Sequence, residues 1–486
     1  MMQGYLNAGM ADRVVVFDLF YRRNPSGNGY AIAAGLEQAV EYINNLHFTD
    51  KDIDYLNETK CFDIAFLDAL RNFRFTGDIF AVPEGSVVFP HVPLVKVKAP
   101  LFQAQLLETA LLTIINHQSL IATKAARVCQ AAQGDPVLEF GLRRAQGPDA
   151  GIYGARAAII GGCTATSNVL AGRMFDVPVK GTHAHSWIMS FESELEAFRA
   201  HAKLFPQACV LLVDTYDTLK CGVPNAIRVF KEMREEGIVL QDYGIRLDSG
   251  DLAYISKMSR KLLDEAGFTD AIISASGDLD ENLITQLKIQ GAKINLWGVG
   301  TNLITSEDCP AFGGVYKLAA QMDAEGKMIP KIKLSENPNK VTNPGEKKVF
   351  RLYDSQYGKF KADLITLADE CLDESKDLTI FDPISTWKSM TLEAGAYVVR
   401  ELLEPVFVQG ECVFEKRNIP EIQGYCRREM ETLWDEHKRL ARPQLAYVDL
   451  SQRLYDLKQE MIREMRGLSR NTTPCIGNLK ASEASQ

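Results

Sequence analysis

Val210-Leu211-Leu212-Val213-Asp214, Gly244-Ile245-Arg246-Leu247-Asp248-Ser249-Gly250-Asp251, Ala271-Ile272-Ile273-Ser274-Ala275-Ser276-Gly277-Asp278 and Ile294-Asn295-Leu296-Trp297-Gly298-Val299-Gly300-Thr301-Asn302 follow one another between Cys209 and Lys317. Each is a short apolar run that ends in a polar loop, and helical stretches fill the gaps. Strands alternating with helices predict a parallel sheet. In a β/α barrel, ligands bind on the loops that follow the carboxyl ends of the strands. Here those loops carry carboxylates, an arginine, glycines and hydroxyls. That set suits a phosphorylated, hydroxyl-bearing ligand.

Outward from this core, Val14 to Phe20 reads as a strand and Tyr30 to Leu46 as an amphipathic helix. Residues 78–98 alternate apolar positions but are broken by Pro83, Pro90 and Pro93, which predicts short edge strands. A long helix is expected from about Leu101 to Gln133, then a Gly- and Arg-rich connector over 134–208. The barrel-like repeat runs on to about Ala320. Residues 334–348 form a turn-rich polar boundary, short strands are expected near 349–365, then helices to about Gly467, and 468–486 read as a frayed tail. The expected architecture is α/β: an N-terminal α+β domain (1–100), an irregular, TIM-like β/α barrel (101–345), and a C-terminal α+β region (346–486) packing on both.

A chain of 486 residues with 46% hydrophobic content can build several cores. Its net charge of −9 argues against a nucleic-acid surface. The ten cysteines form no CxxC pair and stand at no zinc-ligand spacing with the seven histidines. Scattered cysteines suggest a reducing compartment. No apolar run approaches the roughly 20 residues that span a bilayer, and Met1 to Met10 lacks the pattern of a signal peptide. A cytoplasmic location is the expectation.

Four constellations carry chemistry. In Gly181-Thr182-His183-Ala184-His185-Ser186-Trp187, a histidine could serve as nucleophile or base, since imidazole titrates near neutrality. Alternatively, Thr182 or Ser186 caps a helix beside two surface histidines, or the histidines form a zinc pair. Arg246 and Asp248 alternate on a strand end and so point the same way. They suit a phosphate or carboxylate and a ribose or Mg²⁺, or simply each other. Ser276-Gly277-Asp278, Gly298-Val299-Gly300-Thr301-Asn302 and Gly313-Gly314-Val315-Tyr316-Lys317 expose backbone N–H groups suited to phosphate. Among Arg143, Arg144, Lys317, Lys331, Lys333, Lys340, Lys347 and Lys348, some could grip pyrophosphate, with a solvated charged face the expectation for Lys347 and Lys348.

With those residues in view, the chain resembles the nicotinate phosphoribosyltransferases, a type II phosphoribosyltransferase family, from Met1 to about Gly467. The resemblance is carried by Phe140–Asp149, Thr166–Gly172, the His185 segment, Gly244–Leu252, Gly298–Thr305 and Lys333–Pro338. It implies that nicotinate and phosphoribosyl pyrophosphate give nicotinate mononucleotide and pyrophosphate, coupled to ATP hydrolysis through a phosphohistidine at His185 oriented by Asp214. It implies further that Phe140 stacks on the pyridine ring, Arg143 contacts phosphate nearby, and Arg246 lies near the ring carboxylate. Asp248 and Asp278 would face ribose and Mg²⁺. Gly277, Gly298, Gly300 and Thr301 would hold the 5′-phosphate, and Lys317, Lys333 and Lys340 the polyphosphate. A homodimer with sites at its interface is implied too.

Nicotinamide-using relatives carry an aspartate where Ser167 stands. A carboxylate there would repel nicotinate, so serine favours the acid. A nicotinamide-specific enzyme and a non-catalytic nicotinate-binding relative are the alternatives. Family members also carry a Thr-Asp-x-Tyr segment ahead of Met1-Met2-Gln3-Gly4-Tyr5, whose tyrosine closes over the ring from the other subunit. The expectation is that the native chain starts upstream, which the intact mass of protein from its natural source would report.

Overall fold

The computed structural model describes residues 1–467; the tail expected to fray lies outside them. Six short strands, Val137–Glu139, Ala165–Thr166, Val210–Leu212, Gly244–Leu247, Ile272–Ala275 and Leu296–Val299, form one all-parallel sheet. The last strand returns to pair with the first, placing Gly298 opposite Leu138. The strand order is therefore the chain order bent round, open only between Ala165–Thr166 and Val210–Leu212. This is the predicted barrel-like core. Two of its strands come from the 134–208 stretch, which is thus part of the barrel rather than a connector.

These strands are buried nearly throughout, as in a parallel sheet covered on both faces. Ile245, Leu247, Ile273, Ser274 and Ala275 are buried, and Arg246 is half-buried. Gly244 is required by its neighbour, since a Cβ there would lie 2.0 Å from the Ile272 carbonyl oxygen. The helices that follow start on side-chain caps. The carboxylates of Asp251 and Asp280 accept from Tyr254 N–H (3.0 Å) and Leu283 N–H (2.6 Å).

A second sheet of seven strands flanks the barrel. Its order is Met328–Pro330, Gly314–Met322, Val14–Tyr21, Val95–Pro100, Asp78–Ala81, Glu404–Val408, Glu411–Cys412. It draws strands from all three expected regions. Asp78–Ala81 and Val95–Pro100 are interior to it, each paired on both sides, whereas Val87–Val88 pairs with Ala31–Ile32 in a separate two-stranded sheet. Gly314–Met322 belongs here and not to the barrel repeat, with Lys317 directly opposite Asp18.

Tyr30 to Leu46 is not one helix. Ala31–Ile32 is a strand, and the helix is Leu36–Asn45, started by Gly35 at φ +98°. The long helix is broken at Leu107 into Leu101–Leu106 and Glu108–Ala131. The C-terminal region is richer in strands than expected. Tyr397–Glu401, Lys347–Asp354, Phe360–Leu367 and Tyr447–Leu450 form a four-stranded sheet, and a hairpin spans Leu378–Phe381 and Ser389–Leu392. Among the described residues no helix is long and apolar enough to cross a membrane.

Candidate active site

Asp214 stands just past the carboxyl end of Val210–Leu212 and organises the strand ends around it. Its side chain is 2% exposed. One carboxylate oxygen accepts from Asp248 N–H (2.8 Å) and from the Ser249 hydroxyl (2.7 Å). The other faces His185 Nε2 at 3.3 Å. A carboxylate can only accept, so the proton of a neutral imidazole sits on Nε2. His185 Nδ1 then keeps its lone pair. With 40% of its side chain exposed, the ring can reach a substrate.

Arg246 is the hub of the next strand. Its guanidinium donates to Ser276 Oγ (2.8 Å), Thr182 Oγ1 (2.7 Å), the His183 carbonyl (3.4 Å) and Asp248 Oδ1 (2.8 Å). The Ser276 hydroxyl also donates to Asp248 Oδ1. Burial opposes ionisation of Asp248, but the Ser276 hydroxyl and the Arg246 guanidinium hold its carboxyl below the usual value. Asp248 therefore stays a carboxylate, with Oδ2 accepting from nothing else among the described residues.

Beyond this hub the site is shaped by close backbone approach. A Cβ on Gly277 (φ +89°) would lie 2.4 Å from the Asp248 carbonyl oxygen, and one on Gly298 would lie 2.8 Å from the Phe140 ring. The Phe140 ring can thus approach the last barrel strand closely because residue 298 has no side chain. Ser167 is brought beside it, since its N–H donates to the carbonyl of Glu139, the residue before Phe140 (2.9 Å). Asp278 takes a left-handed backbone, φ +42°, and is exposed. Asn302 donates to its carbonyl at 3.0 Å, which ties the 276–280 loop to the turn carrying Gly300 and Thr301. Beneath that loop, fully buried Glu281 pairs with Lys124 (2.7 Å) and Arg127 (2.8 Å) from the long helix.

The strand ends thus bring together His185, Asp214, Arg246, Asp248, Gly277 and Asp278, and separately Phe140, Ser167, Gly298 and Gly300. Arg143 is exposed on the turn after Phe140. The predicted lysines lie elsewhere. Lys317 is on the seven-stranded sheet with its ammonium on the Tyr316 carbonyl (2.8 Å), and Lys333 and Lys340 are exposed on the 331–346 loop. Lys347, expected on a solvated face, is 1% exposed and pairs with Asp18 at 2.8 Å. A cavity of about 570 Å³ lined by Arg22, His91, Val341, Asp449 and Lys458 shares no residue with the strand-end cluster.

Four participants escaped the sequence. Ser276 and Ser249 read as turn residues, yet they lock Asp248 and Asp214. Glu139 is fully buried and accepts from Thr166 Oγ1 (2.6 Å) and Gly141 N–H; burial pushes its carboxyl up despite those donors. Its signal was a lone acid ending an apolar run. His183, read as a surface neighbour, is half-buried against His201 and Phe198.

Comparison with known proteins supplies the family. Models of the nicotinate phosphoribosyltransferase N-terminal domain, family and C-terminal domain match residues 1–116, 136–348 and 346–458. The chain is 47% identical over 466 residues to the nicotinate phosphoribosyltransferase of Bacillus subtilis, covering 96% of this chain and 94% of that one. It is 34% identical to the human protein of that name, with 94% of each covered. The crystal structure of human nicotinic acid phosphoribosyltransferase superposes with a TM-score of 0.81 at 31% identity, over 95% of this chain and 98% of that one. With a shared fold over nearly the whole length and three successive family models matched, the chain belongs to the nicotinate phosphoribosyltransferase family.

Proposed function

We propose that this chain is a nicotinate phosphoribosyltransferase that hydrolyses ATP through a phosphohistidine at His185. The ring nitrogen of nicotinate bonds to C1 of the ribose while the C1–O bond to pyrophosphate breaks, giving nicotinate mononucleotide. In the coupled half, His185 Nδ1 attacks the terminal phosphorus of ATP, ADP leaves, and water later cleaves the phosphohistidine. The observation that carries this reading is Asp214. It orients His185 with one oxygen and holds the Asp248 loop with the other. Phosphorylation that pulls on His185 is thereby felt at the ribose side of the site. Coupling of this kind works only through differential binding to the phosphorylated state.

Phe140 would stack on the pyridine and Arg246 would face its carboxylate. Arg143 would contact phosphate beside the ring, with Gly277, Gly298, Gly300 and Thr301 around the 5′-phosphate. Mg²⁺ fits the donor set. Asp248 Oδ2 and the Asp278 carboxylate accept no other bonds among the described residues, and no group of three or more His, Cys, Asp or Glu there could hold a metal alone. That suits an ion completed by substrate oxygens, which would neutralise charge on the departing pyrophosphate.

Exposed Leu142, Val169 and Tyr216 on the strand-end loops support a second copy covering the mouth. Lys317, Lys333 and Lys340 would then reach polyphosphate from that copy. Mononucleotide formation from nicotinate or nicotinamide, each with and without ATP, tests the proposal. Product from nicotinate alone, raised by ATP, supports it; equal use of nicotinamide removes the Ser167 argument.

A further inference from the structure

The barrel sheet is open along Val210–Leu212. That strand pairs with Gly244–Leu247 on one side only, and Leu212 N–H points to the open side. An unpaired strand edge inside a fold must be satisfied by something other than a strand. Here the partner is a side chain. Leu212 N–H donates to His183 Nε2 at 3.3 Å. Two residues further along both segments, His185 Nε2 meets Asp214 Oδ1 at 3.3 Å. Residues 183 and 185 thus meet 212 and 214 in parallel order, the sense of every pairing in this sheet. The segment stands in for the missing strand, with imidazole nitrogens in place of backbone atoms.

We propose that His183 is a positioning residue whose ring clamps the 182–185 segment to the open barrel edge, setting His185 against Asp214 and Thr182 against Arg246. The donor fixes its state. Leu212 offers a proton, so Nε2 must be the bare nitrogen and the ring neutral, with its proton on Nδ1. The surroundings enforce that state: burial, then His201 and Arg246, push its pKa down to about 3. The ring is held edge-on against His201 at 4.6 Å. From the clamp, Thr182 Oγ1 and the His183 carbonyl both reach the Arg246 guanidinium. One acceptor nitrogen therefore serves both the arginine arm and the histidine arm of the site.

Three full-length variants test this. His183→Leu fills the space without an acceptor. In His183→Gln the side-chain oxygen falls where Nε2 lies, whereas in His183→Asn it falls where Nδ1 lies. We expect His183→Leu and His183→Asn to lose about tenfold in kcat/KM for nicotinate, with kcat falling as well as KM rising, since misplacing the reacting groups costs both. Hydrogen exchange at the Leu212 amide should quicken in both. His183→Gln should restore turnover and protection together.

Wild-type turnover and Leu212 protection in His183→Leu would overturn the clamp. So would a folded His183→Gln as slow as His183→Leu, which matters if the leucine variant does not fold. The link to His185 rests on the phosphohistidine reading, but the Leu212 readout does not. Protection lost in His183→Leu without loss of turnover would place the clamp correctly and deny it a part in positioning. Absence of any ATP effect in the unsubstituted protein would instead sink the phosphohistidine alone.

Discussion

Replacing Asp214 by Asn inverts the tautomer of His185 while leaving almost everything else in place. The side chain is 2% exposed and shape is conserved, so the fold survives. Its orientation is not free. Asp248 N–H (2.8 Å) can only donate, so the amide oxygen of Asn must take that side and its NH₂ must face His185. His185 Nε2 then has to accept, and its proton moves to Nδ1, the nitrogen that attacks phosphorus. Restoring the reactive tautomer would set two donors against each other.

Losing a hydrogen bond to a charged group costs about 1.5–3 kcal/mol. The low end applies here, because the bond is 3.3 Å long and the ring is 40% exposed. Opposed donors add about 1–3 kcal/mol. The sum is about 3–4 kcal/mol, a loss of roughly two to three powers of ten in the ATP-stimulated rate. The assay is mononucleotide formation with and without ATP at saturating nicotinate. Asp214→Asn should keep the ATP-independent rate within a fewfold and lose the stimulation. His185→Ala should behave alike, and the double variant should be no worse than either single one. Full ATP stimulation in Asp214→Asn would refute the tautomer argument.

Gly298→Ala drives a methyl to 2.8 Å from the Phe140 ring. The ring must tilt, and KM for nicotinate should rise about tenfold with little change in melting temperature; an unchanged KM would remove Phe140 from the ring site. Ser167→Asp should weaken nicotinate by roughly tenfold and gain turnover with nicotinamide, as competition kinetics will show. Asp449 is 3% exposed, and burial, reinforced by Asp382, pushes its pKa from 3.8 to about 6. A raised acid stabilises the fold below its unfolded value and loses that contribution as pH climbs through 6. Asp449→Asn should therefore gain on the unsubstituted protein between pH 4 and 7, by up to about 3 kcal/mol. Parallel melting curves across that range would refute this.

Particular residues show where sequence reasoning reached and where it stopped. Strand ends at Asp214, Asp248, Asp278 and Gly300 are legible because short apolar runs stop at polar turns. The Arg246–Asp248 pair was legible because i and i+2 share a face. The single helix expected over Tyr30 to Leu46 does not form because Gly35, at φ +98°, divides a strand from a helix inside one apolar stretch. Lys347 reads as solvent-facing because its partner, Asp18, lies more than 300 positions away in the chain. Serines 249 and 276 carry no local mark distinguishing a turn hydroxyl from one that fixes a carboxylate.

Taken alone, the sequence determined the alternation of strand and helix, the polar ends of the strands, and the residue types those ends present, since each is a local pattern. Only the tertiary structure decided that Gly314–Met322 leaves the barrel to pair with Val14–Tyr21, that one aspartate faces both a histidine and the neighbouring loop, and that His183 occupies an open edge. Those outcomes depend on which backbone donors remain unpaired once the sheet has curved, and on long-range burial of apolar surface. Neither is written in any one stretch of chain.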